Sequence, residues 1–404
     1  MRRNTRVLVC SLALLACQRD DSGGDEGDPP SDGDEGDELD GDGDGDGDPD
    51  EGDAEPVCDL SQFPKLVPEW IVEVESPLEG ATPSVSALEV TSDAIFVAGR
   101  HDISSSEPPG FVERRDFDGK LAWVIELPKV RNMVIAWDGQ HLYGAYGQEV
   151  RRWTAEGLED DWSISAEFIA DMAVGLDSVA VVGSYSDQGG HDDHVDAFFG
   201  TYTKTTPPRG SDGGRFGVFE RSEFGEVVAP SPWGGWIAAG SYNDFSAYGH
   251  SWIVGFGGPE LTLTLKFLGY SRVVGLAAHH EVLTVIGRNS VRGVVWLSSI
   301  SSGGGELARH EHQLCTGVGS SIQKIVHHEG VIWAIGTVWT GQEQTSPLLV
   351  RFTFEGQIQS THAFAVEADS FRIEALDVEE GTAYIGGYLR AGDEFRRIVG
   401  RVQL

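Results

Sequence analysis

The sequence predicts an all-β, seven-bladed β-propeller over residues 57–404, on the strength of three observations. One strand-like segment recurs seven times, each copy continues into a second hairpin, and the two ends of the chain complement each other. The composition agrees: 53 glycines and 3 methionines suit short strands and tight turns better than helical bundles.

The recurring segment reads IFVAGRHD (95–102), LYGAYGQE (142–149), VAVVGSYSD (179–187), WIAAGSYND (236–244), LTVIGRNS (283–290), IWAIGTVW (332–339) and YIGGYLR (384–390). With Gly99, Ala145, Gly183, Gly240, Gly287, Gly336 and Gly387 as equivalents, the period averages about 48 residues. Several copies continue alike, as in FVERRDFDGKLAWVIEL and LVRFTFEGQIQSTHAF, two strands around a glycine turn. Four short strands per period is the signature of a propeller blade. In such a ring the loops after second and fourth strands share one face, where ligands are expected. The tryptophans spread over most copies (Trp123, Trp153, Trp162, Trp233, Trp236, Trp252, Trp296, Trp333) are expected between neighbouring sheets.

The last copy ends at RRIVGRVQL, which leaves it one strand short. PEWIVEVE (68–75) matches LAWVIELP (121–128), aligning Trp70 with Trp123 and Glu73 with Glu126. The N-terminal strand is therefore expected to complete the last blade, residues 70–75 pairing with 397–403, so that no sheet edge stays open at the seam. TKTTPPRGSDGG (203–214) reads as a flexible insertion on the opposite face.

RRDFDGKLAWVIEL resembles the repeat of quinoprotein-like (PQQ-repeat-like) bacterial propellers, and the resemblance covers residues 68–404. It implies the fold. Quinoprotein dehydrogenases that share the repeat style carry eight blades and adjacent cysteines, features this chain lacks, so no quinone cofactor is expected.

Ahead of the ring, Arg2, Arg3 and Arg6 precede an apolar stretch, Val7 to Ala16, too short to span a bilayer. The sequence Leu14-Leu15-Ala16-Cys17 is similar to the lipobox of bacterial lipoproteins, which implies a signal peptide over 1–16 and a lipidated Cys17. Residues 17–56 read as a disordered Asp/Gly-rich tether. Within it, DGDGDGDGDPDE (40–51) has the spacing of an EF-hand loop. It lacks helical flanks, has Gly47 where an apolar residue belongs, and fits a shifted register, so no single calcium site is expected. Residues 1–55 hold 19 acidic residues against 4 arginines, within a formal net charge of -36, and the chain has no basic face for nucleic acid. The membrane is reached through the lipid alone.

Export places Cys58 and Cys315 in an oxidising compartment, where they can either pair or stay free. On the ligand face the richest loop is SDQGGHDDHVDAF, in which His191, Asp192, Asp193, His194 and Asp196 are of the right types for a divalent metal. A solvated surface loop has the same composition. Arg100, His101, Asp102 and Trp339 occupy the same face. His279-His280 and His327-His328 are expected as turn residues a blade apart, not as one site. No P-loop, dinucleotide fingerprint, nucleophile elbow or H-E-x-x-H occurs. The expected function is that of a monomeric lipoprotein of the cell envelope, at the outer membrane, binding or scaffolding an envelope or extracellular protein or polymer without catalysis. The alternative is a metal-assisted hydrolase or lyase built on residues 186–198 with Arg100, His101 and Asp102.

Overall fold

A computed structural model describes residues 58–404 except 76–81, 103–107, 131, 167, 187–194, 217–221, 244–249, 259–265, 271, 290–292, 316–319, 342–343 and 393. The signal peptide, Cys17 and the acidic tether lie outside the described residues.

The described residues form seven sheets, antiparallel but for one short strand. Blade 1 consists of Thr82–Val90, Ile95–Asp102, Gly110–Arg115 and Leu121–Leu127, in sequence order. Blades 2 to 7 repeat that order from first strands Met133–Trp137, Phe168–Val174, Ser222–Pro230, Arg272–His279, Ser320–His328 and Ser370–Glu379. Each of the seven recurring segments is the second strand of its blade.

Blade 7 takes its fourth strand from the other end of the chain. Pro68–Glu73 pairs antiparallel with Glu394–Gln403, Trp70 opposite Arg401 and Glu73 opposite Ile398, so the N-terminal strand does complete the last blade. Val74 N–H adds a bond to Arg397 O, 2.9 Å. Before reaching blade 7 the chain runs along blade 6. Cys58 is disulfide-bonded to Cys315, its N–H donates to Trp339 O at 3.0 Å, and Lys65–Leu66 forms a parallel ladder with Ala363 and Phe364. That fifth strand of blade 6 is too short to leave a periodic signal in the sequence.

The core is divided among the blade interfaces. Seven apolar clusters lie one between each pair of adjacent sheets, from Phe96, Leu127 and Trp153 between blades 1 and 2 to Val85, Phe111 and Tyr384 between blades 7 and 1. Trp153, Trp162, Trp252 and Trp296 are fully buried, as large rings wedged between sheets should be. Fourth-strand indoles also bond the next blade: Trp123 Nε1 donates to Ala155 O (3.1 Å) and Trp162 Nε1 to Thr203 O (3.0 Å).

Residues 203–214 are not a flexible insertion. Gly210–Phe216 is the fourth strand of blade 3. The turn before it is anchored to blade 2, because Lys204 Nζ pairs with Asp138 Oδ2 (2.8 Å) and Lys204 O accepts from Arg152 (2.9 Å). The prolines and glycines that suggested looseness serve a turn and a paired strand instead.

In blades 1, 3, 4 and 7 the repeat glycines share one structural cause, whereas a Cβ at Gly287 or Gly336 would meet the side chain of Trp296 or Leu314. In blades 1, 3, 4, 5, 6 and 7 the first strand carries a bulge against the second, skipping Ser86, Ala170, Glu226, Val274, Gln323 and Glu374. The residue just before each bulge lies opposite the repeat glycine, as Val85 does Gly99 and Ile373 does Gly387. A Cβ at Gly99, Gly183, Gly240 or Gly387 would overlap the first-strand carbonyl of Ser84, Phe168, Phe224 or Arg372. Blade 2 has Ala145 in place of the glycine, and its first two strands pair without a register shift.

Candidate functional site

The bulges set the lining of the central channel. At the mouth formed by the starts of the first strands and the ends of the second strands is a cavity of about 500 Å³. Five bulged residues line it: Ser86, Glu226, Val274, Gln323 and Glu374. Around them stand Arg100, Arg272, Arg288, Arg372 and Arg397 from blades 1, 5 and 7. Against two lining carboxylates, five guanidinium groups give this mouth a positive balance within a chain of net charge -36.

The arginines are held in register. Arg272 and Arg288 lie directly opposite each other on neighbouring strands, an arrangement that is destabilising for like charges. Glu226 relieves part of it, with Oε1 2.6 Å from Arg272 Nε and 3.1 Å from Ser241 Oγ. Burial raises the Glu226 carboxyl, against the lowering pull of Arg272, Ser241 and Arg288. Burial lowers the Arg288 pKa, and the charges of Arg272 and Arg372 lower it further. Arg372 Nε is 3.7 Å from Glu374 Oε1. The guanidinium of Arg397 lies 4.5 Å from the centre of the Tyr388 ring, and Tyr388 pairs with both Arg372 and Arg397.

Beyond the bulges the first strands carry half-buried acids. Glu89 Oε1 accepts from Trp137 N–H (3.3 Å), Asp171 Oδ2 from Val228 N–H (2.9 Å) and Asp377 Oδ2 from Val90 N–H (2.6 Å). Each bond crosses to the first strand of the next blade. Burial pushes Glu89 up to about 8, with the charge of Asp377 adding to it, and Asp377 up to about 6. Burial raises Asp171 as well, and the Lys324 ammonium pulls all three down.

Of the residues singled out from the sequence, Arg100 lines the cavity. His101 points elsewhere: it is 1% exposed, its ring tilted against Phe111 with centres 5.1 Å apart, and its Nε2 lies 3.3 Å from Glu126 Oε2. Strand alternation turns it into the sheet packing, away from the ligand face. Asp102 ends its strand opposite Thr82. Trp339 is 52% exposed and is not among the residues lining the cavity. Asp196 pairs with Tyr185 in the ladder of blade 3. His191, Asp192, Asp193 and His194 fall outside the described residues. Among the described residues no three His, Cys, Asp or Glu side chains gather to hold a metal ion.

The histidine pairs are closer than their separation in the sequence implies. Neighbouring blades bring the rings of His279 and His327 to 5.6 Å, both packed on Phe354. Burial lowers the His327 pKa, and the neighbouring His279 and His328 lower it further.

The sequence did carry a signal for the rest of the mouth. Arg100 and Arg288 each directly follow a repeat glycine. The bulged residue precedes that glycine by 13 positions in five blades and by 14 in blade 4. Without the bulge in view, those positions read as ordinary first-strand residues.

No family profile matches the chain, and no curated protein matches it. Solved structures do. The WD40 domain of Neurospora crassa Pan2 is similar over 85% of this chain and 97% of that one, at 8% identity and a TM-score of 0.51. The polysaccharide lyase Uly1 is similar over 87% and 98%, at 10% identity and a TM-score of 0.51. At these identities the likeness shows the fold, a seven-bladed β-propeller. It carries no activity to this chain.

Proposed function

We propose that the protein is a non-catalytic binding or scaffold module of the cell envelope, engaging a protein partner through the channel mouth. The supporting observation is the cavity of about 500 Å³ lined by five arginines. Guanidinium groups stay charged at physiological pH and present several N–H donors each, which suits holding an anionic group. The lipobox-like Leu14-Leu15-Ala16-Cys17 supports a bacterial lipoprotein anchored at the outer membrane, with residues 17–56 as its tether. Fractionation of cells carrying wild-type protein or Cys17→Ala tests the anchor: the variant should leave the membrane fraction, and an unchanged distribution would refute lipidation. Crosslinking in intact cells tests the partner. A stoichiometric adduct formed by wild type and lost in Arg288→Gln is expected, and the absence of any adduct would refute the binding role.

A further inference from the structure

Resting on that reading of the mouth, we propose that its ligand is an acidic peptide segment, a run of Asp or Glu side chains presented by the partner protein, whose carboxylates are received by Arg272, Arg288 and Arg372. Three observations converge. The fold does not need these charges: Arg272 and Arg288 face each other across a strand pair and destabilise the sheet they belong to. Their nearest carboxylates are held at one edge, since Glu226 and Glu374 approach the Nε atoms of Arg272 and Arg372. Both contacts are made at the Nε edge, and the terminal amino groups of a guanidinium match carboxylates two bonds at a time. Finally, none of the lining residues is aromatic. A sugar ring is ordinarily held by stacking on a ring face, whereas a carboxylate side chain needs none.

The remainder of the protein sharpens the choice. Residues 56–404 alone carry a formal net charge of -21, which repels acidic chains at long range. An acidic segment therefore meets net attraction at this mouth, which favours one docking point over diffuse adhesion.

The test uses the purified full-length protein and a fluorescein-labelled hexa-aspartate peptide, read by fluorescence anisotropy, with an oligogalacturonate of equal charge as competitor. Saturable peptide binding is expected, weakened about tenfold or more by Arg288→Gln and by Arg372→Gln. The oligogalacturonate should compete at least tenfold less well than unlabelled peptide. Arg100→Lys, which keeps the charge, and Glu374→Gln, which removes a competing carboxylate, serve as further variants should Arg288→Gln fail to fold: the second should bind peptide as tightly as wild type or more so. Equal binding by wild type and the arginine variants would overturn the proposal, as would oligogalacturonate binding at least as tightly as peptide. A cellular adduct that survives Arg288→Gln while peptide binding is lost would leave this site intact and displace the partner reading instead.

Discussion

The indole N–H of Trp70 donates to the carbonyl oxygen of Phe117, 3.0 Å away, repeating between blades 7 and 1 the bond that Trp123 makes to Ala155 between blades 1 and 2. In both places the indole lies on the glycine of the receiving turn, Gly119 under Trp70 and Gly157 under Trp123, each glycine at positive φ. The seam of the ring is thus joined by the same device as an ordinary blade junction, although its tryptophan comes from the opposite end of the chain.

Removing residues 1–76 should therefore open the ring. The truncated protein is expected to lose cooperative thermal unfolding, measured by circular dichroism, and an unchanged melting temperature would refute closure by this strand. Trp70→Phe keeps most of the packing and removes one hydrogen bond, for an expected loss of about 1 kcal/mol by denaturant titration.

The glycine and the bulge should be separable by mutation. Gly99→Ala forces a Cβ onto the carbonyl of Ser84 and should cost about 3 kcal/mol. Ala145→Gly, in the blade that pairs without a bulge, should cost only about 1 kcal/mol of backbone entropy. Similar costs at the two sites, in matched urea titrations, would show that the carbonyl clash does not set the repeat.

The disulfide closes a sequence separation of 257 residues. Cys58→Ser or Cys315→Ser should lower stability by about 2–5 kcal/mol. Reductant should lower the melting temperature of wild type and leave either variant unmoved.

The raised carboxyls and the lowered histidine act in opposite directions on stability as pH changes. Glu89 and Asp377 are raised, so their protonated forms favour the fold. Their contribution is complete below about pH 4 and is lost as pH rises through about 6 for Asp377 and about 8 for Glu89. Glu89→Gln should flatten the alkaline limb by an amount on the order of 3 kcal/mol between pH 6 and 9, read from urea midpoints. His327 is lowered, so its neutral form favours the fold and its contribution is lost as pH falls below about 6.5. His327→Gln should flatten the acid limb, and an acid limb identical to wild type would exclude this histidine.

The fold was legible because each blade repeats a strand and a turn, six of the seven repeat a glycine, and Trp70 copies Trp123 in type and setting. Lys65–Leu66 was not legible, since two residues cannot show a period. The site was half legible. Arg100 stood out after its glycine, whereas Arg272, Arg372 and Glu226 stood in first strands whose facing is shifted by the bulge, and alternation alone cannot find a shift. His101, next to Arg100, shows the same limit in reverse, because one step along a strand moves a side chain from the mouth into the core.

The bulged residues differ in kind from blade to blade, from Ser86 to Glu226 to Val274, while the glycine opposite stays fixed in every blade that has a bulge. Fold and recognition are therefore written in separate letters of the same repeat. Lineages descending from such a ring can exchange the lettering of the mouth one blade at a time, acquiring new specificities while the scaffold is inherited unchanged.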